Sequence, residues 1–389
     1  GGLGDDTYYV ESTGDTVTEW YGQGTDTVVS SLASYTLSAN VEKLVLASPW
    51  TSNGTGNALD NTLIGSAAAN VLDGGTGADT MTGGAGNDKL IDIDGISGSN
   101  FNDTLTGRDD AKKGDSLFGN DGKDVINGLA GDDFLFGGAK VDKLTGGAGD
   151  DQLDGGAGSD RLDGGSGAND VVSFSNDLLD PKGITIHLDK TGVQDFGGWG
   201  KDSLKGFEGV YGSAVADHIF GSKADNLLIG SQIKGMDGND TLYGDIGPSG
   251  AQNGFDGDDT MDGGAGNDTI NNGLGTDTMI GGAGKDTFVF NALPSQFSDD
   301  EPDKIKDFNA KDDVMKLQHF SFFDLDVGKL PGDAFVEGTR AVEVQDRIIY
   351  DGSTGKLYFD PDGTGEAEQI LFATLTNKTG ISAADFVVF

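Results

Sequence analysis

Residues 146–154 and 155–163 read GGAGDDQLD and GGAGSDRLD, two consecutive copies of a nine-residue unit, Gly-Gly-x-Gly-x-Asp-x-apolar-x. The same unit stands at 74–82, 83–91, 197–205, 263–271 and 281–289. Looser copies keep the frame at 56–64, 65–73, 119–127, 128–136, 137–145, 212–220, 221–229, 235–243, 254–262 and 272–280. A short period repeated this often marks a solenoid, in which each unit is stable only against its neighbours. Glycines at positions one, two and four permit positive φ and close backbone approach. Position six ends the turn with a carboxylate, and the last three residues read as extended, with position eight pointing inward. Leu72, Met81, Leu90, Ile126, Leu135, Leu144, Leu153, Leu162, Leu242, Met261, Ile270, Met279 and Phe288 hold that place. Three-residue strands joined by six-residue turns bury nothing alone. Stacked two units per coil, they give an all-β, flattened parallel solenoid.

Composition points the same way. Of 389 residues 67 are Gly, and the acids are 56 Asp against nine Glu. Short-armed Asp beside Gly suits turns and oxygen ligation. A net charge of −40 excludes nucleic acid as a partner and disfavours docking on anionic membranes. No apolar run is long enough to span a bilayer, and the absence of Cys removes disulfides and thiolate metal sites. The opening Gly1-Gly2-Leu3, without an initiator Met, reads as a processing boundary.

Stacked turns would bring rows of carbonyls and Asp carboxylates together, which is unfavourable without a counter-ion. A cation of calcium size takes six to eight oxygens, whereas magnesium demands octahedral geometry and keeps its waters. If each turn faces the turn two units on, Asp133 pairs with Asp151, Asp124 with Asp142, Asp142 with Asp160, Asp259 with Asp277 and Asp268 with Asp286. The candidate metal ligands are the carboxylates of Asp6, Asp79, Asp88, Asp115, Asp124, Asp133, Asp142, Asp151, Asp160, Asp240, Asp259, Asp268, Asp277 and Asp286. Backbone carbonyls join them at Gly74, Gly83, Gly128, Gly146, Ala148, Gly155, Gly254, Gly263, Ala265 and Gly281. Two units depart from the pattern. Lys140 replaces the fourth-position Gly of 137–145, and in 164–172 Asn169 stands at position six with Asp170 one place late.

These nonapeptides resemble those of the RTX (repeats-in-toxin) calcium-binding proteins, over most of residues 1–289. The resemblance implies a parallel β-roll that is disordered without calcium and folds in millimolar calcium outside the cell. It also implies a secreted bacterial protein exported by type I secretion machinery. Roughly ten Ca²⁺ ions, if sites follow the repeats, would cancel about half the charge.

Five segments follow from the frame. Residues 1–55 hold one full copy at 1–9, a partial one near 22–29 and a strand-like stretch from Ser34 to Leu46. A β-roll block at 56–172 has an irregular stretch at 92–114, where the roll is expected to be interrupted or bulged. A strand-rich insertion covers 173–211, and a second block covers 212–289. Residues 290–389 lose the repeat and become Phe-rich. They resemble an RTX cap and secretion region, with a hairpin expected across Gly352–Gly355 and an acid-then-apolar terminus, Asp385-Phe-Val-Val-Phe389, that matches an uncleaved export signal or an ordinary last strand. Residues 360–366 read either as a calcium loop or as a hairpin turn.

No catalytic constellation is found. Neither His-Glu-x-x-His nor Gly-x-Ser-x-Gly occurs. His187 and His218 read as surface residues, His319 precedes an apolar Phe320-Ser-Phe-Phe323 patch expected in the cap core, and Trp199 is expected to be exposed on its turn. Two functions remain. One is a non-catalytic surface, matrix or adhesin-type module, with extracellular polysaccharide or the cell surface as partner. The other is the RTX tail of a larger secreted protease, lipase or polysaccharide-modifying enzyme. Acid should reverse the fold, since protonated Asp does not ligate.

Overall fold

The computed structural model describes residues 1–77, 79–91, 95–174, 183–190, 192–213, 217–230, 232–244, 258–273, 275–293 and 302–389. The chain divides into two compact units, one from Gly1–Asp180 and Thr191–Phe207, the other from Pro181–Lys190 and Glu208–Phe389.

In the first unit the strands from Thr27–Ser30 to Val171–Ser173 alternate between two parallel sheets, and Thr7–Val10 pairs directly with Thr27–Ser30. One sheet runs Thr7–Val10, Thr27–Ser30, Lys43–Leu46, Thr62–Ile64, Thr80–Thr82, Gly95–Ser97, Ser116–Asp121, Phe134–Ala139, Gln152–Ala157 and Val171–Ser173. The other runs Ser34–Thr36, Ser52–Thr55, Asn70–Asp73, Lys89–Ile91, Thr104–Thr106, Val125–Ala130, Lys143–Ala148, Arg161–Ser166 and Lys201–Lys205. Within the alternating run each strand pairs with the strand two units away. Position-eight residues stack in register, Leu135 on Leu153 and Leu144 on Leu162, and are buried. The expected parallel β-roll is the fold.

The second unit repeats the plan. Gly209–Tyr211, Leu227–Ile229, Thr241–Tyr243, Thr269–Asn271, Thr287–Phe290, Val314–Leu317 and Phe386–Val388 form one parallel stack. Thr185–His187, His218–Phe220, Gln232–Asp237, Thr260–Ala265, Thr278–Ala283, Asp303–Ile305 and Ile370–Leu375 form the other. The latter continues antiparallel through Lys356–Phe359 and Ile348–Asp351. This is the hairpin expected across 352–355. Residues 360–366 join two antiparallel strands, so they are a hairpin connection, with Asp360 accepting the Gly363 N–H at 2.8 Å.

The structure corrects several expectations. In the regular blocks the strands are six residues long, because pairing resumes after position one: Phe136 faces Asp154, then Gly138 faces Gly156. A glycine at position one lets the chain kink without breaking the stack. Of the two expectations for 92–114, interruption or bulge, the described residues show a bulge. Gly95–Ser97 and Thr104–Thr106 each pair on both sides, and the extra residues are taken up between Gly107 and Asp115 (residues 92–94 lie outside the described set). In the 290–389 segment, expected as a cap, Asp303–Ile305 and Val314–Leu317 add to the two stacks of the second repeat block. Trp199 is buried, edge-on to Phe174 at 5.4 Å, because Gly192–Asp195 and Lys201–Lys205 fold into an antiparallel hairpin. Of the Phe320–Phe323 patch only Phe322 is buried; Phe320 is 91% exposed.

Candidate metal centre

In most of the described turns the sixth residue is a buried Asp, and one of its oxygens ties that turn to the turn two units earlier. Asp151 Oδ1 accepts the Asp133 N–H at 2.9 Å, Asp142 Oδ1 that of Asp124 at 2.7 Å, and Asp160 Oδ1 that of Asp142 at 2.7 Å. In the second unit Asp277 accepts from Asp259 at 2.9 Å and Asp286 from Asp268 at 3.0 Å. All five sequence-derived pairs are thus neighbours in a hydrogen-bonded ladder. These contacts run from backbone to carboxylate, so they leave each second oxygen to be accounted for.

That second oxygen divides the turns into two kinds. Among the described residues, nine turns have a buried Oδ2 with no hydrogen-bond partner: Asp88, Asp124, Asp133, Asp142, Asp151, Asp160, Asp240, Asp268 and Asp286. In each of these the second residue of the turn lies at positive φ: Gly84, Asn120, Leu129, Gly138, Gly147, Gly156, Met236, Gly264 and Gly282. The left-handed conformation is costly for Leu129 and Met236, so the turn geometry is imposed on them. In the other kind the second residue is Ser or Asn outside that region, and its N–H closes the turn onto residue six. Asn57, Ser66 and Ser222 donate to Asn61, Asn70 and Asn226 at 2.6, 2.7 and 2.6 Å. Ser99, Ser213 and Asn309 donate to Asp103, Asp217 and Asp313 at 2.6, 2.6 and 2.8 Å. Closed turns satisfy themselves. Open turns do not.

The orphaned oxygens converge with carbonyls. A Cβ on Gly146 would stand 2.3 Å from Asp151 Oδ2 and 2.4 Å from the Gly164 carbonyl oxygen; on Gly235, 2.2 Å from Asp240 Oδ2 and 2.3 Å from the Gly263 carbonyl. Only glycine fits there, and the groups that meet are all acceptors. Such a set favours a hard cation. Burial is also the chief cause that raises these carboxylates from the usual 3.8, to about 6 for Asp88, Asp124, Asp133 and Asp286 and to about 7 for Asp142, Asp151, Asp160 and Asp240. The residues present therefore fit a divalent ion of calcium type.

Individual candidates fare differently. Asp79, Asp259 and Asp277 occupy the same ladder positions as the open-turn acids. Asp142 keeps its place because Lys140 adopts φ 81° in the missing glycine's stead. Asp170, one residue late, still accepts the Asp151 N–H at 2.9 Å. Asp115 is not a free ligand: the buried Arg108 guanidinium donates to its Oδ1 at 2.9 and 2.7 Å, and Arg108 N–H to its Oδ2 at 2.6 Å. A resident side-chain cation already neutralises that carboxylate. Asp6 sits in a turn closed by the Gly2 N–H at 2.8 Å. The Ala148 and Ala265 carbonyls accept N–H groups of Gly131 and Gly238, each at 2.8 Å, leaving one lone pair each. Gly254 lies outside the described residues.

The candidate set left out further ladder acids: Asp202 and Asp217 at position six of copies 197–205 and 212–220, and Asp26, Asp103, Asp303 and Asp313 outside the full copies. All share one signal, an acid two residues before an inward apolar residue, as in Asp103-Thr-Leu105 and Asp303-Lys-Ile305. A second signal separates the turn kinds. Open turns carry Gly at position four, Lys140 excepted, whereas closed turns carry residues such as Leu59, Ala68, Phe101 and Ala224.

Residues 55–90, 113–139, 136–171, 211–248 and 253–288 match the family model of the RTX calcium-binding nonapeptide repeat. The chain carries RTX calcium-binding repeats, and calcium is the ion such repeats bind. Among solved structures it is similar to the extracellular lipase LipA from Serratia marcescens, at 16% identity and a TM-score of 0.17. The match covers 77% of this chain and 40% of that one. No curated protein matches it.

Asp151→Ala would remove both the acceptor for the Asp133 N–H and the oxygen beside Gly146. The lost bond alone costs about 1–3 kcal/mol, so the calcium midpoint for folding is expected to rise fivefold or more. Asp189→Ala, at a side chain 49% exposed and outside the ladder, should leave it unchanged. Equal midpoints in calcium titrations of the two variants would refute the role given to the ladder.

Proposed function

We propose that this chain is a secreted, non-catalytic calcium-binding module of the cell surface or extracellular matrix, exported by type I secretion and folded by extracellular calcium. The observation that carries it is the set of nine buried, partnerless Asp oxygens, each at the same place in its turn. About ten ions per chain follow if each open gap takes one. The open-turn Asp side chains and position-one carbonyls would hold them, and bound calcium supplies the positive charge those oxygens lack. Inside the cell, where calcium is scarce, a net charge of −40 opposes compaction and suits an extended chain for export.

The reading is tested by equilibrium dialysis and cell fractionation. At 5 mM calcium the purified chain should bind about ten ions. Expressed with a type I exporter, it should be retained on cells or matrix and be released by chelator. One or two ions, or recovery in the medium alone whatever the calcium level, would overturn it.

A further inference from the structure

Asp6, Glu19 and Asp26 each place one carboxylate oxygen within 4.8 Å of the other two. Asp6 and Asp26 end turns that are adjacent in the ladder, the Asp6 N–H donating to Asp26 Oδ1 at 2.8 Å. Glu19 comes from elsewhere: it lies in the connection between strands Thr7–Val10 and Thr27–Ser30, outside any repeat. Its side chain is fully buried. Glu19 Oε1 takes the Tyr8 hydroxyl and lies 3.0 Å from the Gly1 amino group, but Oε2 is buried with no partner. Three carboxylates thus meet, those of Glu19 and Asp26 buried and that of Asp6 partly buried. Burying their charge unmatched is costly, and three hard oxygen donors without His or Cys select a hard divalent ion.

We infer that Asp6, Glu19 and Asp26 form a separate calcium site, built from three side-chain carboxylates and distinct from the turn sites, in which Glu19 pins the 11–26 connection to the first coil. It differs from the repeat turns in kind. There the second oxygen meets backbone carbonyls; here an acid from a non-repeat loop completes the set, and the Asp6 turn is already closed by Gly2. The inference rests on the calcium reading above, and the two fail differently.

The test is anomalous diffraction from crystals of the full chain grown in calcium and then exchanged into terbium. A peak within about 2.3–2.6 Å of all three carboxylates is expected beside the peaks in the repeat turns. Glu19→Gln, nearly isosteric, should abolish that peak and leave those at Asp133–Asp151 and Asp268–Asp286. Filled turns with nothing between Asp6, Glu19 and Asp26 would overturn the site alone. Empty turns would overturn the calcium reading as a whole. Should Glu19→Gln fail to crystallise, Tyr8→Phe gives a second readout: it removes the tyrosine that touches Glu19, and should lower tyrosine-sensitised terbium emission from the bound chain. Unchanged emission would count against the site.

Discussion

In excess chelator at neutral pH the chain should give the circular dichroism of a coil, and β signal should appear cooperatively as calcium rises from micromolar to about 10 mM. The size of the effect follows from the open turns. An unsatisfied buried polar group costs about 1–3 kcal/mol, more when charged. Over nine such oxygens, the penalty equals or exceeds the roughly 5–15 kcal/mol of net stability a domain ordinarily has. Among the described residues the repeat blocks have little to offset it. The inward residues form rows only one residue wide, there are no disulfides, and the Asp115–Arg108 pair neutralises one turn only. Closed turns need no ion, but they are too few and too scattered to hold a roll together. Magnesium should be much less effective, because turn carbonyls and carboxylates fixed by a backbone ladder do not suit its octahedral demand. A full β spectrum in chelator would refute this account.

Acid is expected to do two opposite things, separable by the presence of calcium. Burial raises the open-turn carboxylates above the unfolded value of 3.8, to about 7 at Asp151 and about 6 at Asp133. The folded roll then binds more protons than the unfolded chain between about pH 4 and 7. Its metal-free stability therefore falls as pH rises through that window, and the full penalty is present above it. Calcium needs the same groups deprotonated. With 5 mM calcium, acidification should release ions with a midpoint near pH 6, well above that of an ordinary Asp. In chelator, lowering the pH from 7.5 to 4.5 should increase compaction, since protons silence the repulsion among buried acids. Simple reversal of the fold by acid, the expectation from ligand chemistry alone, is thus incomplete. Dialysis and small-angle scattering across this range would check both arms. A metal-free chain equally expanded at both pH values, or ion release only near pH 4, would contradict the assignment of these groups.

Much of this was legible in the chain. The Gly-Gly-x-Gly-x-Asp frame gave the two-unit coil, its parallel sheets and the pairing of turns two units apart, because every repeat obeys the same local rules. The segments where the frame weakens were read less well. Residues 95–114 and 303–317 continue the stack, since an acid followed by a residue and an inward apolar side chain suffices to hold a rung without glycines. Trp199 sits in a complete copy of the motif, yet a hairpin buries it against Phe174. Asp115 belongs to the pattern, but an Arg seven residues earlier reaches it first.

What the sequence by itself determined is which residues point inward and which acids end the turns, since both are set by period and by the short reach of local backbone geometry. Only the tertiary structure decided which of those acids keep an oxygen bare. That depends on where the second residue's N–H points once turns from successive coils are stacked, and on whether a distant group, such as Arg108 at Asp115 or Glu19 beside Asp6, arrives to share the space.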